Sequence, residues 1–161
     1  MKILFSILRE MADLPNDPDA VALALNSLGL AVEEMDVVGV PVPGVVTARI
    51  VRMEKHPDAA KVTRCFVDAG DGEERHVWCG ATNMQPGDIV PLATLGTTMP
   101  NGMEIARRGI LGIDSEGMLC SEVELGLSDE SSGILILPAD SQLGVSPFDV
   151  LGIEHDVIFD L

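Results

Sequence analysis

Val45-Val46-Thr47-Ala48-Arg49-Ile50-Val51-Arg52-Met53 is the stretch on which the fold turns. Val46, Ala48 and Ile50 alternate with Thr47 and Arg49, the period-two pattern of a strand with one buried face. The alternation then slips, because the next apolar positions are Val51 and Met53. A one-residue slip in a continuous strand demands a β-bulge or a strong bend near Ile50-Val51. A long first strand bent in this way is what a small barrel needs in order to curl.

Downstream of that bend the chain falls into short strands punctuated by Gly and Pro. Val62 to Val67 is a second strand and Arg75 to Cys79 a third, with Asp71-Gly72 in the hairpin loop between them. Ile89 to Thr94 follows Pro86-Gly87. Pro100-Asn101-Gly102 turns the chain into Glu104–Arg108 and then Gly112–Cys120. Ile134 to Leu137 is a late strand closed by Pro138. The run Gly117-Met118-Leu119-Cys120-Ser121-Glu122 predicts a strand that ends in a one-turn helix, with Ser121 and Glu124 at capping spacing and Gly126 as its stop. The fold class this predicts is mainly β within an α+β chain, built on a small antiparallel barrel.

Upstream the pattern changes. Asp17-Pro18 is a helix start, and Ala20, Val21, Ala24, Leu25 and Leu28 recur at helical spacing until Gly29. Met1 to Met11 holds a short strand or a first helical turn. Ala31 to Val40 is extended and is broken by Pro41-Val42-Pro43-Gly44, which we take as a domain boundary. Val157 to Leu161 begins a strand with no stop signal. Either it returns to pair with residues 1–10 or the chain is cut from a longer polypeptide.

The formal charge of −16 is unevenly spread. Six of the ten Lys and Arg lie between Arg49 and Arg75, whereas residues 111–161 hold eleven Asp and Glu and no cation. The acidic last third suits a solvated surface; residues 44–110, with eight charges of each sign, leave room for a phosphate-facing patch. With no Tyr, one Trp and four Phe, a nucleic-acid binder built mainly on aromatic stacking is disfavoured. Cys65, Cys79 and Cys120 form no CxxC pair and fit no zinc spacing, so they are expected to be buried, reduced thiols. There is no glycine-rich phosphate loop, nucleophile elbow or metal-ligand spacing. The chain is expected to be cytoplasmic and free of membrane, with no active site, metal or cofactor of its own.

Four pieces in order resemble one family: Phe5-Ser6-Ile7-Leu8-Arg9-Glu10 with Gly29-Leu30-Ala31-Val32-Glu33; His56-Pro57-Asp58-Ala59-Ala60-Lys61-Val62; Cys79-Gly80-Ala81-Thr82-Asn83; and Ser115-Glu116-Gly117-Met118-Leu119-Cys120-Ser121 with Glu124-Leu125-Gly126-Leu127. Together they resemble the N-terminal region of the bacterial phenylalanyl-tRNA synthetase beta subunit. The middle is also similar to stand-alone tRNA-binding modules. The resemblance implies a five-stranded OB-fold barrel over residues 40–151 with an N-terminal helical and strand extension. It implies that residues 1–39 and 152–161 form a second, discontinuous α+β domain whose remainder lies beyond Leu161. The family's Lys-Leu-Arg-Gly falls here on Gly109-Ile110-Leu111-Gly112, so both its cations are absent.

The residues expected to face RNA are Arg49, Arg52, His56, Lys61, Arg64, Asn83 and Arg107. His56 before Pro57 also suits a turn whose ring packs; Asn83 also suits a local turn; Trp78 suits a half-core, half-surface role. Arg107 and Arg108 are adjacent, so in a strand only one serves a given face. The function implied is a non-catalytic tRNA-binding or structural module of a phenylalanine–tRNA ligase beta subunit, supporting aminoacylation. Its partners would be tRNA, held weakly and salt-sensitively, the synthetase alpha subunit and the rest of the beta subunit. Two alternatives stay open: a protein–protein docking module that binds no RNA, and a free-standing tRNA-binding protein.

Overall fold

The structure is a computed structural model describing residues 1–161. Its elements begin with β1 (Lys2–Leu4), α1 (Phe5–Met11), α2 (Pro18–Ser27) and β2 (Glu34–Val38). The strands β3 (Val45–Lys55), β4 (Thr63–Asp68), β5 (Glu74–Cys79) and β6 (Ile89–Thr94) follow. Then come β7 (Arg108–Ile110), β8 (Ile113–Ser115), β9 (Gly117–Leu119), α3 (Pro147–Leu151) and β10 (Asp156–Asp160). The chain divides into two units, Met1–Val40 with Ile153–Leu161, and Pro41–Gly152.

In the smaller unit β10 lies between β1 and β2, antiparallel to both. Asp17 caps α2 by accepting from the backbone N–H of Asp19 (3.1 Å) and Ala20 (3.2 Å), and Pro18 takes the first helical position. Alternation along β10 turns Val157 and Phe159 inward, where they meet Phe5, Val21 and Ala22. Phe5 and Phe159 pack edge to face, with ring centroids 6.0 Å apart.

In the larger unit the slip in the first strand is a bulge. Ile50 pairs with Val67 and Arg52 with Phe66, so Val51 has no partner on β4 and points to solvent. The bend lets one strand serve two neighbours. Val45 to Arg49 pair with β6, and Arg49 to Lys55 pair with β4. The five-stranded sheet has the order β5-β4-β3-β6-β9. Its ends meet, because the Glu116 N–H donates to the His76 carbonyl (2.9 Å) and the Trp78 N–H to Ser115 Oγ (3.1 Å). A nearly closed antiparallel barrel of five strands with this connectivity is the OB-fold. Ala48, Ile50, Val67, Val77, Val90 and Leu92 fill its interior.

Three segments depart from the sequence expectation. Gly112–Cys120 is two strands, because Ser115 pairs back onto Arg108 whereas Gly117 joins Thr94 of β6. Glu116 is the point where the partner changes. Ile134–Leu137 supplies only a bridge from Leu137 to Ile89. Ser121–Leu125 is a turn and not a helix; Glu124 Oε2 accepts from the Ser121 N–H (2.6 Å) and also from its hydroxyl, which holds the turn. No helix is long and apolar enough to cross a membrane.

Candidate nucleic-acid interface

Strand alternation decides which side chains leave the barrel. Cys65 and Val67 of β4 and Val77 of β5 point into the core. Arg64, Phe66, Asp68, Glu74, His76 and Trp78 therefore share the outer face. The bulge re-phases β3 so that Arg52 and Glu54 join them. The register makes three rows across β3, β4 and β5: Glu54–Arg64–Trp78, Arg52–Phe66–His76, and Arg49–Asp68–Glu74.

The middle row is aromatic at its centre and cationic at its edge. The Arg52 guanidinium carbon sits 3.4 Å from the Phe66 ring centroid, and that of Arg64 sits 4.7 Å from Phe66 and 5.7 Å from Trp78. All three distances are within cation–π range, worth about 0.5–1 kcal/mol each at exposed sites. Arg52 is also held by Glu54 (2.5 Å) and Glu74 (3.0 Å). Arg64 makes no ion pair, and its Nε is buried without an acceptor. Arg107 reaches the same face through Glu116 (3.8 Å), whose other oxygen lies 3.5 Å from His76 Nε2. Arg75 is removed from any such role. It grips Asp71 at 2.6 and 3.1 Å, and that bond holds the Asp71 carboxyl down at about 2.

The seven residues expected from sequence separate. Arg52 and Arg64 lie together, Arg107 joins them by way of Glu116, Arg49 occupies the neighbouring row, and Lys61 stands exposed in the loop after β3. His56 does not face solvent. It is 4 % exposed, Nε2 lies 3.1 Å from the Ile110 carbonyl, and Nδ1 accepts from the Asp58 N–H at 3.0 Å. Both ring nitrogens are used within the chain, and the ring packs on Trp78 with centroids 4.6 Å apart. Asn83 is similarly committed: its amide donates to the Ile134 carbonyl (2.8 Å) and accepts from the Ile134 N–H (3.0 Å). Sequence reasoning passed over Phe66, whose outward phase between Arg64 and Asp68 was readable from the alternation.

Trp78 is buried under the β7–β8 hairpin, with its indole N–H donating to the Ile113 carbonyl at 2.9 Å. Beside it lies a cleft of ≈ 200 Å³ lined by Met103, Ile105, Arg108, Ile110 and Met118. The hairpin tip is a two-residue turn, Leu111-Gly112, with φ of 48° and 86°. Positive φ at both positions is the turn that favours Asn-Gly. Leucine there costs roughly 1 kcal/mol. Leu111→Asn should recover about 0.5–1 kcal/mol, read as slower amide exchange across the hairpin, while faster exchange would contradict this account.

The three thiols are inert by burial, which pushes Cys65 and Cys120 up to about 12 and raises Cys79 as well. No group of three His, Cys, Asp or Glu side chains is close enough to hold a metal ion.

The family model described as "Putative tRNA binding domain" matches residues 45–146, which spans the barrel. Over 161 residues the chain is 46 % identical to the phenylalanine–tRNA ligase beta subunit of Syntrophotalea carbinolica and 42 % identical to that of Anaeromyxobacter dehalogenans. Each match covers all of this chain and 20 % of the relative, so the chain spans about a fifth of the curated relatives' length. A solved MetRS related protein from Pyrococcus horikoshii aligns with 63 % of this chain and 86 % of its own, at TM-score 0.47 and 16 % identity. By the family model over the barrel and by the identity to these curated relatives, the chain belongs to the tRNA binding domain family and is homologous to phenylalanine–tRNA ligase beta subunits.

Proposed function

We propose that the outer face of β3, β4 and β5 contacts tRNA, weakly and with steep salt dependence. The chain would do so as a non-catalytic module of a phenylalanine–tRNA ligase beta subunit in the cytoplasm. The observation that carries this is the cation–aromatic lattice of Arg52, Arg64 and Phe66 in a chain of net charge −16. This face of an OB barrel, with the loops that flank it, is where oligonucleotides lie in the fold generally. Arg64, Lys61 and Arg49 make no ion pair within the chain, so they are free to displace counterions from phosphates. Arg52 and Arg107 border them. The synthetase alpha subunit and the rest of the beta subunit would be the protein partners, and no cofactor is needed for this work.

Fluorescence anisotropy with labelled tRNA tests the reading. Affinity should fall at least tenfold between about 50 and 200 mM salt if even three phosphates are contacted. Arg64→Glu should weaken binding roughly tenfold and lower the salt slope by about one. Absence of binding at low salt, or indifference to Arg64→Glu and Lys61→Glu together, would leave the face to a protein partner.

A further inference from the structure

We propose that Arg52 is a stacking platform for one unpaired nucleobase. The proposal rests on the tRNA-facing reading of the same sheet face and assigns that face a second kind of contact. Phe66 is the aromatic residue at the centre of the face, yet the residue is only 7 % exposed. Arg52 lies over it at 3.4 Å from the centroid and Arg64 at 4.7 Å, so no base can reach the ring directly. What is presented outward in its place is the guanidinium of Arg52, a planar, delocalised and weakly hydrated group that stacks well.

The edges of that plane are partly occupied. Nη1 donates to Glu54 Oε1 at 2.5 Å and Nη2 to Glu74 Oε1 at 3.0 Å. Two carboxylates therefore fix the guanidinium from β3 and from β5, on either side of Phe66. The clamp has two consequences. Two of its five N–H donors, one on each terminal nitrogen, are taken by carboxylates, so a bidentate grip on a phosphate must compete with them. The positive charge of the Arg52 guanidinium is offset by the two carboxylates that hold it, which weakens its pull on a phosphate and leaves the neutral π-face of a base as the matching ligand. The arginine side chain is 48 % exposed, so one face of the plane is open while the other rests on Phe66. The ordering entropy of a long, flexible side chain is already spent before the ligand arrives. Arg64, unpaired and one row away, is placed to meet the adjoining phosphate.

The test is a titration of the chain with a six-nucleotide single-stranded RNA and with an abasic ribose-phosphate oligomer of equal length. Both carry the same phosphates, so salt affects them alike and their affinity ratio isolates the base. The wild-type chain should prefer the base-bearing oligomer by about tenfold, at the lower part of the range for one stacked base. Arg52→Lys keeps the charge and loses the plane. It should bring the ratio to about one while leaving the abasic affinity within twofold. Equal binding of the two oligomers by the wild-type chain, or a preference that survives Arg52→Lys, overturns the platform and leaves the tRNA-facing reading standing. Binding of neither oligomer, nor of tRNA, at low salt overturns both.

Discussion

Replacing Gly117 by alanine is expected to cost the barrel about 3 kcal/mol, near the top of the range for overpacking a well-packed interior. Gly117 opens β9, the strand that closes the sheet against β6, opposite Thr94. A Cβ at this position would lie 2.7 Å from the Ala93 carbonyl oxygen and 3.0 Å from Leu92 Cδ1. Neither neighbour can give way cheaply. Ala93 and Leu92 are fully buried, and β6 is tied along its length to β3. The three-residue β9 must then move outward, and with it the Cys120 N–H that donates to the Pro91 carbonyl at 3.0 Å. For a chain of this size, 3 kcal/mol is a midpoint drop of about 6–12 °C in a thermal melt. Gly80 supplies the control, since the nearest atom to a Cβ there is 3.9 Å away and its φ is ordinary. Gly80→Ala should leave the midpoint unchanged or slightly raised. Equal melting of the two variants would show that β6 yields easily and that closure of the barrel is not tight at β9.

The parts of the fold legible in the sequence are those set by a local period. The slip after Ile50 could be read because side chains alternate strictly in a strand, so one extra residue shifts every later apolar position. The hairpin at Asp71-Gly72 and the cap at Asp17-Pro18 are local in the same sense. What could not be read depends on partners far along the chain. Gly112–Cys120 looks like one strand because nothing in its own residues says that Ser115 and Gly117 pair with different strands. Asn83 invites an RNA-facing reading because Ile134, its partner, is fifty-one residues away. That clamp even needs Gly133, where a Cβ would fall 2.2 Å from Asn83 Oδ1. The proposed interface is half legible. The cluster of cations between Arg49 and Arg75 is plain, but Arg75 is spent on Asp71 and Arg52 on two glutamates. Composition counts charges; only the register tells which of them remain free.

His56→Ala should be comparably severe, about 3 kcal/mol, through the loss of two buried hydrogen bonds and of aromatic packing. Because Nδ1 accepts from the Asp58 N–H, Nε2 carries the proton and donates to the Ile110 carbonyl. One ring thereby joins the loop after β3, the indole of β5 and the β7–β8 hairpin, the last two of which line the cleft. The two loops that flank the proposed RNA face are held by this side chain and not by contact with a ligand. Removing it opens a hole against Trp78, and water entering there should shift the tryptophan emission to the red. Two substitutions divide the role. His56→Asn can still accept from Asp58 but cannot reach Ile110, so it should keep the turn and free the hairpin. His56→Gln reaches farther and should retain more of the hairpin's protection than of the turn's. Amide exchange of Asp58 and of the β7–β8 residues distinguishes them. If the hairpin exchanges at the wild-type rate in His56→Ala and the melting midpoint moves by less than about 2 °C, the ring is not a pin. Its burial would then reflect only the close packing of Trp78. If the hairpin does loosen, tRNA affinity should fall in the alanine variant although His56 is buried, because the flanking loop has lost its fixed position.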